Sequence, residues 1–184
     1  MKNFIFLGLS IIFLNIFLVG CASTKADSNM ANGGRNTLTI DSDQNLQKEI
    51  SCYLNNLYPG NNIKVTVYND DVLLTGQVAN SSINNSIKDS LENKAGVIYN
   101  YIEVKPVESI QQQAYDAYIS HQTQTKLMTI KGIQNNNIKF TTTDRVIYLF
   151  GNITDHQSKK VTDRLQKING VKNIIIFFDY TSNA

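Results

Sequence analysis

Apolar residues recur along the chain with two alternating spacings, which predict a repeated order of helices and strands. Between residues 46 and 57 they recur every three or four positions, as in an amphipathic helix. Over residues 63–78 they alternate with polar residues around an Asn-Asp-Asp turn, as in a β-hairpin. Helical spacing returns at residues 83–91, and the stretch "VIYNYIEV" at 97–104 predicts a final strand. The order is helix, strand, strand, helix, strand.

This order occurs twice. The stretch "IKVTVYNDDVLLTGQV" at 63–78 matches "IKFTTTDRVIYLFGNI" at 138–153 at a constant offset of 75 residues. With a one-residue gap, "SIKDSLENKAGV" also pairs with "KKVTDRLQKINGV". Thr154 and Gln157 predict a capping box at the start of the second copy's later helix. Gly96 and Gly170 are expected to end the paired helices in a left-handed conformation.

Two helices on one face of a three-stranded mixed sheet make an α+β unit, with the last strand parallel to the strand before the crossover helix. We expect one unit at residues 43–108, a second at 109–181 and a tail at 182–184.

The last strand of the second unit is apolar on both faces. Ile174, Ile176 and Phe178 alternate with Ile175 and Phe177. One face packs on helices, and the other needs a second cover. The first unit offers Tyr99 and Tyr101 for this purpose. We therefore predict that the two sheets pack against each other and form one rigid body.

The N-terminus predicts export. The apolar run Phe4–Val19 is 16 residues long, shorter than the ~20 residues of a typical spanning helix. Lys2 precedes the run and small residues follow it, as in a secretory signal over residues 1–20. Residues 22–41 are rich in Ser, Thr and Asn with little apolar periodicity, which indicates a tether over residues 21–42.

Charge and motifs favour binding over catalysis. Residues 43–107 carry five lysines against seven acids, a net charge of −2, whereas residues 114–184 carry nine basic residues against five acids, a net charge of +4. His121 and His156 lack metal-ligand spacing, and no nucleophile elbow or phosphate loop stands out. The sequence therefore predicts no enzyme, metal or cofactor. The basic face of the second unit is either a solvated surface or a site for anions.

Two resemblances are carried by these residues. Leu18, Val19, Gly20 and Cys21 resemble a bacterial lipobox, which implies acylation of Cys21, and Ala22 resembles the outer-membrane sorting pattern. The stretches "VYNDDVLLTGQV" and "TTTDRVIYLFGNITDHQSKKVTDRL" resemble tandem BON domains, although Asp70 and Arg145 stand where glycine is frequent in hairpin turns. Together they resemble the division and outer membrane stress-associated lipid-binding lipoproteins. This implies a lipid-anchored protein at the periplasmic face of the outer membrane, with covalent lipid on Cys21 and no cofactor.

The helix opening the second unit is the candidate lipid-binding site. At 100° per residue, Ile119, Thr123, Leu127 and Ile130 share the arc that faces the sheet. The opposite arc carries the candidate lipid-binding residues Tyr118, His121, Thr125, Met128 and Lys131.

Two interpretations of this arc remain open. Tyr118 and Met128 either pack on the first unit or contact lipid. The resemblance implies contact with anionic phospholipid and an aromatic residue at the Tyr118 position. Alternative functions are an adaptor for envelope proteins and an osmotic-stress protein of the periplasm. Nucleic acid is not an expected partner outside the cytosol.

Overall fold

The computed structural model describes residues 35, 37–92, 94–134 and 137–181, so the predicted signal, the lipobox and most of the tether lie outside the described residues. The first unit comprises helices α1 (Thr37–Leu57) and α2 (Ser81–Leu91) and strands β1 (Asn62–Tyr68), β2 (Asp71–Val78) and β3 (Ile98–Val104). The second comprises helices α3 (Ile110–Met128) and α4 (Asp155–Leu165) and strands β4 (Ile138–Thr143), β5 (Val146–Ile153) and β6 (Asn173–Tyr180). Each unit contains one three-stranded mixed sheet, ordered β1-β2-β3 or β4-β5-β6. The α+β architecture and the element order are as predicted.

Helix starts differ most from the sequence prediction. α1 begins at Thr37, inside the segment predicted as a tether, because residues ahead of Leu46 are mostly polar and hide the helical period. α3 begins at Ile110, where the Ser109 side chain accepts a hydrogen bond from the Gln112 amide. The capping box of α4 is confirmed, with both reciprocal hydrogen bonds present.

Each hairpin turn is held by a buried aspartate from the helix that opens its unit. The turn residues all have positive φ angles: Asn69, Asp70, Asp144 and Arg145. Positive φ at both central residues defines a type I′ turn. Asp43 accepts from both amides of the first turn at 2.9 and 3.1 Å, and Asp116 accepts from both amides of the second at 2.7 and 2.8 Å. These hydrogen bonds stabilise turns that contain no glycine.

The two sheets pack face to face, as predicted, and the helices form the outer layers. The shared core contains eight residues, four of them buried and the others packed against them: Tyr68, Leu73, Tyr148, Phe150, Tyr99, Val146, Ile175 and Phe177. Tyr68 stacks on Phe150 with ring centroids 5.7 Å apart, and Tyr99 contacts Phe177 at 4.5 Å. The molecule is therefore four layers deep, in the order helices, sheet, sheet, helices.

Contacts across this interface are reciprocal. The Lys64 Nζ atom donates to the carbonyl oxygen of Thr142 at 3.1 Å, and the Lys139 Nζ atom donates to that of Val67 at 2.8 Å. The two lysines occupy equivalent strand positions, as do the two acceptors. Such exchange of identical positions is the signature of a two-fold relationship, usually seen in homodimers. Burial lowers the pKa of Lys139.

The linker between the units contributes one buried side chain, Glu108. The Glu108 carboxylate accepts from Gln77 Nε2 at 2.9 Å and from the Asp144 amide at 3.0 Å. Nearby, Lys105 bonds the Asp144 carboxylate, to which Lys172 also donates at 3.1 Å. Glu108 and Lys105 thus connect the linker to the second hairpin turn.

Phe150→Ala should lower the free energy of unfolding by about 3–5 kcal/mol, because the ring is buried between the sheets. Tyr118→Ala, which truncates an exposed ring, is the control and should change it by less than about 0.5 kcal/mol. Urea unfolding monitored by circular dichroism measures both. Equal effects of the two substitutions would contradict the packing described.

Asp144 should make part of the stability pH-dependent. Burial alone would raise the pKa of Asp144, but hydrogen bonds and charges from Lys105 and Lys172 outweigh burial and lower it. A lowered pKa stabilises the fold above the unfolded-state value of about 3.9, and the contribution is lost as pH falls through the folded-state pKa. Wild type should therefore exceed Asp144→Asn in stability at neutral pH, and the difference should shrink below about pH 4. Urea titrations across this range measure the difference, which would be pH-independent if the ion pairs were absent.

Candidate functional site

The outer face of α3 exposes several large apolar side chains. Tyr118 is 47% exposed and Met128 is 61% exposed, while His121 and Thr125 lie exposed between them. Lys131 is exposed in the turn that follows the helix. The opposite arc is buried as predicted: Ile119, Thr123, Leu127 and Ile130. Because the unit interface lies on the far side of the sheet, Tyr118 and Met128 do not form part of it, which removes one of the two interpretations of this arc.

Sequence reasoning missed Ile110, the most exposed large apolar residue described, at 86%. Ile110 and Met128 are 18 residues apart, or five helical turns, so they share one angular position and lie about 27 Å apart. Ala114 and Ala117 are exposed between them. Ser109 was the available signal, since a serine three residues before a helical amide is a typical N-cap. The outer face of α3 is thus longer and more apolar than the predicted site.

This outer face carries no charged residue. The only charged residues of α3 are Asp116 and Lys126. Asp116 is 3% exposed and bonds the second hairpin turn, whereas Lys126 is half-buried at the side of the helix. This face therefore leaves water without the cost of burying a charge, and its polar side chains need hydrogen-bond partners there.

The equivalent helix of the first unit provides an internal comparison. The buried residues Asp43, Ile50 and Leu54 of α1 correspond to Asp116, Thr123 and Leu127 of α3. At this offset of 73 residues, four exposed positions of α3 correspond to polar or charged residues of α1. The pairs are Ala114 with Asp41, Tyr118 with Asn45, His121 with Lys48, and Met128 with Asn55. At these equivalent positions, α3 has the large apolar side chains of Tyr118 and Met128 where α1 has asparagine.

Cations from α4 flank the C-terminal end of this face. Arg164 Nη1 donates to Thr129 Oγ1 at 2.7 Å, and Gln157 Nε2 donates to the carbonyl oxygen of Gly132 at 2.8 Å. These contacts set one side of α4 against the turn that carries Lys131. Lys160 lies between Gln157 and Arg164 on the same side of the helix and is exposed. Lys160 and Arg164 therefore lie on the side of α4 that faces the turn carrying Lys131.

Two other features were sought among the residues that the structure describes: a metal site and a membrane-spanning helix. Across those residues no three His, Cys, Asp or Glu side chains are grouped so as to hold a metal ion. None of the described helices is both long and apolar enough to cross a membrane.

A known domain family matches the first of the two units, with nearly the same bounds. The BON domain family matches residues 42–106, which cover nearly all of the first unit. The chain thus resembles BON-domain proteins over its first unit. It is 27% identical over 175 residues to the outer membrane lipoprotein DolP of Haemophilus influenzae, covering 90% of this chain and 91% of DolP. The chain therefore resembles DolP across both units, and this relationship supports a lipid-anchored location in the outer membrane.

Two further similarities are more distant. The 21 kDa hemolysin of Actinobacillus pleuropneumoniae is 27% identical over 120 residues, covering 64% of this chain and 62% of the hemolysin. The solved structure of CdsD, a structural protein of the Type III secretion system of Chlamydia trachomatis, aligns with a TM-score of 0.33 and 13% identity. That alignment covers 74% of this chain and 92% of CdsD, and at this TM-score it carries no functional argument.

Proposed function

We propose that the protein is a non-catalytic outer-membrane lipoprotein that binds anionic phospholipid through the outer face of α3 and thereby supports outer-membrane integrity. The observation that carries the proposal is the difference between α1 and α3. At equivalent positions the same fold presents polar side chains in the first unit and an uncharged face with Ile110, Tyr118 and Met128 in the second.

The binding mode follows from the side chains. Tyrosine and methionine lose water at little cost at the headgroup boundary, since the ring is amphipathic and the thioether is flexible. An apolar helix face that lies in the interface gains free energy in proportion to the area it buries. Cations beside it, such as Lys131, gain about 1 kcal/mol each near an anionic bilayer.

The second unit acts as a second BON domain in this proposal. The family match ends at residue 106, but the second unit has the same element order, the same sheet topology and the same aspartate-held turn. The similarity to DolP over 175 residues also spans it. The proposed roles are thus divided, with the first unit as a structural partner and the second as the lipid-binding unit.

Acyl chains on Cys21 provide the anchor in this proposal. A single chain gives only reversible membrane binding, whereas two or three chains hold a protein stably. Binding by α3 then orients a protein that is already at the membrane, and does not need to retain it there.

Radiolabelled palmitate should enter the wild-type chain and not Cys21→Ser, because the acyl chains need the thiol of this residue. Labelling followed by gel autoradiography of membrane fractions measures incorporation. Equal label in both chains would rule out Cys21 as the lipid site.

Removal of the apolar side chains should abolish vesicle binding. Residues 22–184 without acyl chains should float with phosphatidylglycerol vesicles and not with phosphatidylcholine vesicles. Tyr118→Ala with Met128→Ala should weaken flotation more than about tenfold, since burial of each large apolar side chain contributes up to about 1.5–3 kcal/mol.

Leu38→Ala with Leu57→Ala is the matched control. These residues are 75% and 50% exposed on α1, so the pair removes comparable apolar surface from the equivalent helix and should float like wild type. Loss of flotation in the control alone, or wild-type binding to purely zwitterionic vesicles, would refute the proposal. Failure of the wild type to bind any vesicle, with capture of a protein through α3, would favour the adaptor function.

A further inference from the structure

The flank of α4 beside α3 carries several exposed cations that form no ion pair within the described residues. Lys160 and Arg164 are exposed on one side of α4 at a helical spacing of four residues, and Lys167 is exposed in the turn that follows the helix. Lys131 joins them from the turn after α3, which Gln157 contacts. Within the described residues, none of these four cations forms an ion pair with a carboxylate. Unneutralised cations of this kind attract an anion.

Arg164 is held in place on this flank. Its Nη1 atom donates to Thr129 Oγ1 at 2.7 Å and lies 3.4 Å from the Thr129 carbonyl oxygen. Because these contacts use one end of the guanidinium, its remaining N–H donors are available to a second acceptor. Thr129 directly follows Met128, so the guanidinium is fixed at the C-terminal end of the apolar outer face.

We infer that Arg164, Lys160 and Lys131 form a binding site for the phosphate of a membrane phospholipid, so that α4 as well as α3 contacts the bilayer. This inference rests on the proposed lipid binding by α3 and assigns the recognition of negative charge to a different helix. Apolar residues on the outer face of α3 enter the headgroup region, and the α4 cations receive the phosphodiester oxygens beside them. A fixed guanidinium matches these oxygens through paired hydrogen bonds, which an isolated lysine does not provide.

If α3 supplies apolar contact and α4 recognises negative charge, substitutions on the two helices should have different effects. Loss of Tyr118 and Met128 reduces binding to every vesicle that the protein binds. Loss of the α4 cations reduces the preference for anionic over zwitterionic lipid and makes binding less sensitive to salt, because fewer screened charges contribute.

The experiment is sedimentation of residues 22–184 with vesicles of phosphatidylcholine containing increasing fractions of phosphatidylglycerol, at several salt concentrations. Lys160→Gln with Arg164→Gln should bind roughly 25-fold more weakly than wild type at low salt, at about fivefold for each cation removed. Lys88→Gln with Lys159→Gln removes the same charge from α2 and from the side of α4 that faces away from α3. It should bind within about twofold of wild type.

A separate variant removes ambiguity about folding. Because Arg164 contacts Thr129, the stability of each Arg164 variant is measured by thermal unfolding alongside its binding. Lys160→Gln alone changes no described hydrogen bond and should retain wild-type stability while losing about fivefold in binding. Arg164→Lys should recover only part of the Arg164→Gln loss, since the charge returns without the paired donors.

The outcomes separate the two proposals. Absence of wild-type binding to phosphatidylglycerol vesicles overturns both. Wild-type binding with unchanged affinity and salt dependence in the Lys160→Gln, Arg164→Gln variant overturns the α4 site and leaves lipid binding by α3 intact. Displacement from vesicles by millimolar inorganic phosphate at constant ionic strength would indicate a site for free phosphate and overturn the assignment to lipid.

Discussion

The reciprocal contact between the two sheets is the constraint on which the rest of the structure depends. Each unit is small enough that its own core leaves it marginally stable. Each sheet also has a second apolar face, which the other sheet covers through Tyr68, Tyr99, Phe150 and Phe177. Once the sheets face each other, the helices of both units are necessarily the outer layers. The interface therefore determines which elements remain available for binding.

A two-fold arrangement makes α1 and α3 equivalent in position and leaves their sequences to distinguish them. Both helices use a buried aspartate to hold the adjacent hairpin turn, so the same structural requirement acts on both. Their exposed positions are free of that requirement. Where α3 presents Ile110, Tyr118 and Met128, the equivalent positions of α1 are polar: Thr37, Asn45 and Asn55. The proposed function thus depends on differences at positions that the fold does not constrain.

Local patterns predicted most of the fold, and contacts distant in sequence account for what they missed. Strand alternation and the offset of 75 residues located both hairpins, and helical spacing placed the correct arc of α3 against its sheet. The start of α1 was not visible, because the residues ahead of Leu46 are mostly polar, and the start of α3 was indicated only by the N-cap residue Ser109. Gly170 has the expected positive φ of 86° and Gly96 does not, but neither glycine ends its helix, since α4 ends at Leu165 and α2 at Leu91. At Gly96 an added Cβ atom would lie 2.9 Å from Asp71 Oδ1, so the carboxylate that accepts from the Val97 amide would have to shift.

In the candidate site, too, local patterns predicted some residues, and contacts distant in sequence determine the others. Tyr118, His121, Thr125 and Met128 follow from one helical period, so their shared exposure was predictable. The position of Arg164 was not, since its contact with Thr129 joins residues 35 positions apart. The roles of Asp43 and Asp116 were hidden for the same reason, because an aspartate in an amphipathic helix gives no indication of the turn that it will bond.

Paramagnetic relaxation from spin-labelled lipid in phosphatidylglycerol bicelles would test the orientation most directly. Amide signals along the outer face of α3, from Ile110 to Met128, and those near Arg164 on α4 should broaden, while signals of α1 and α2 should keep their intensity. Comparable broadening on α1 and α3 would show that the two equivalent helices meet lipid alike, which would contradict the assignment of membrane contact to the second unit.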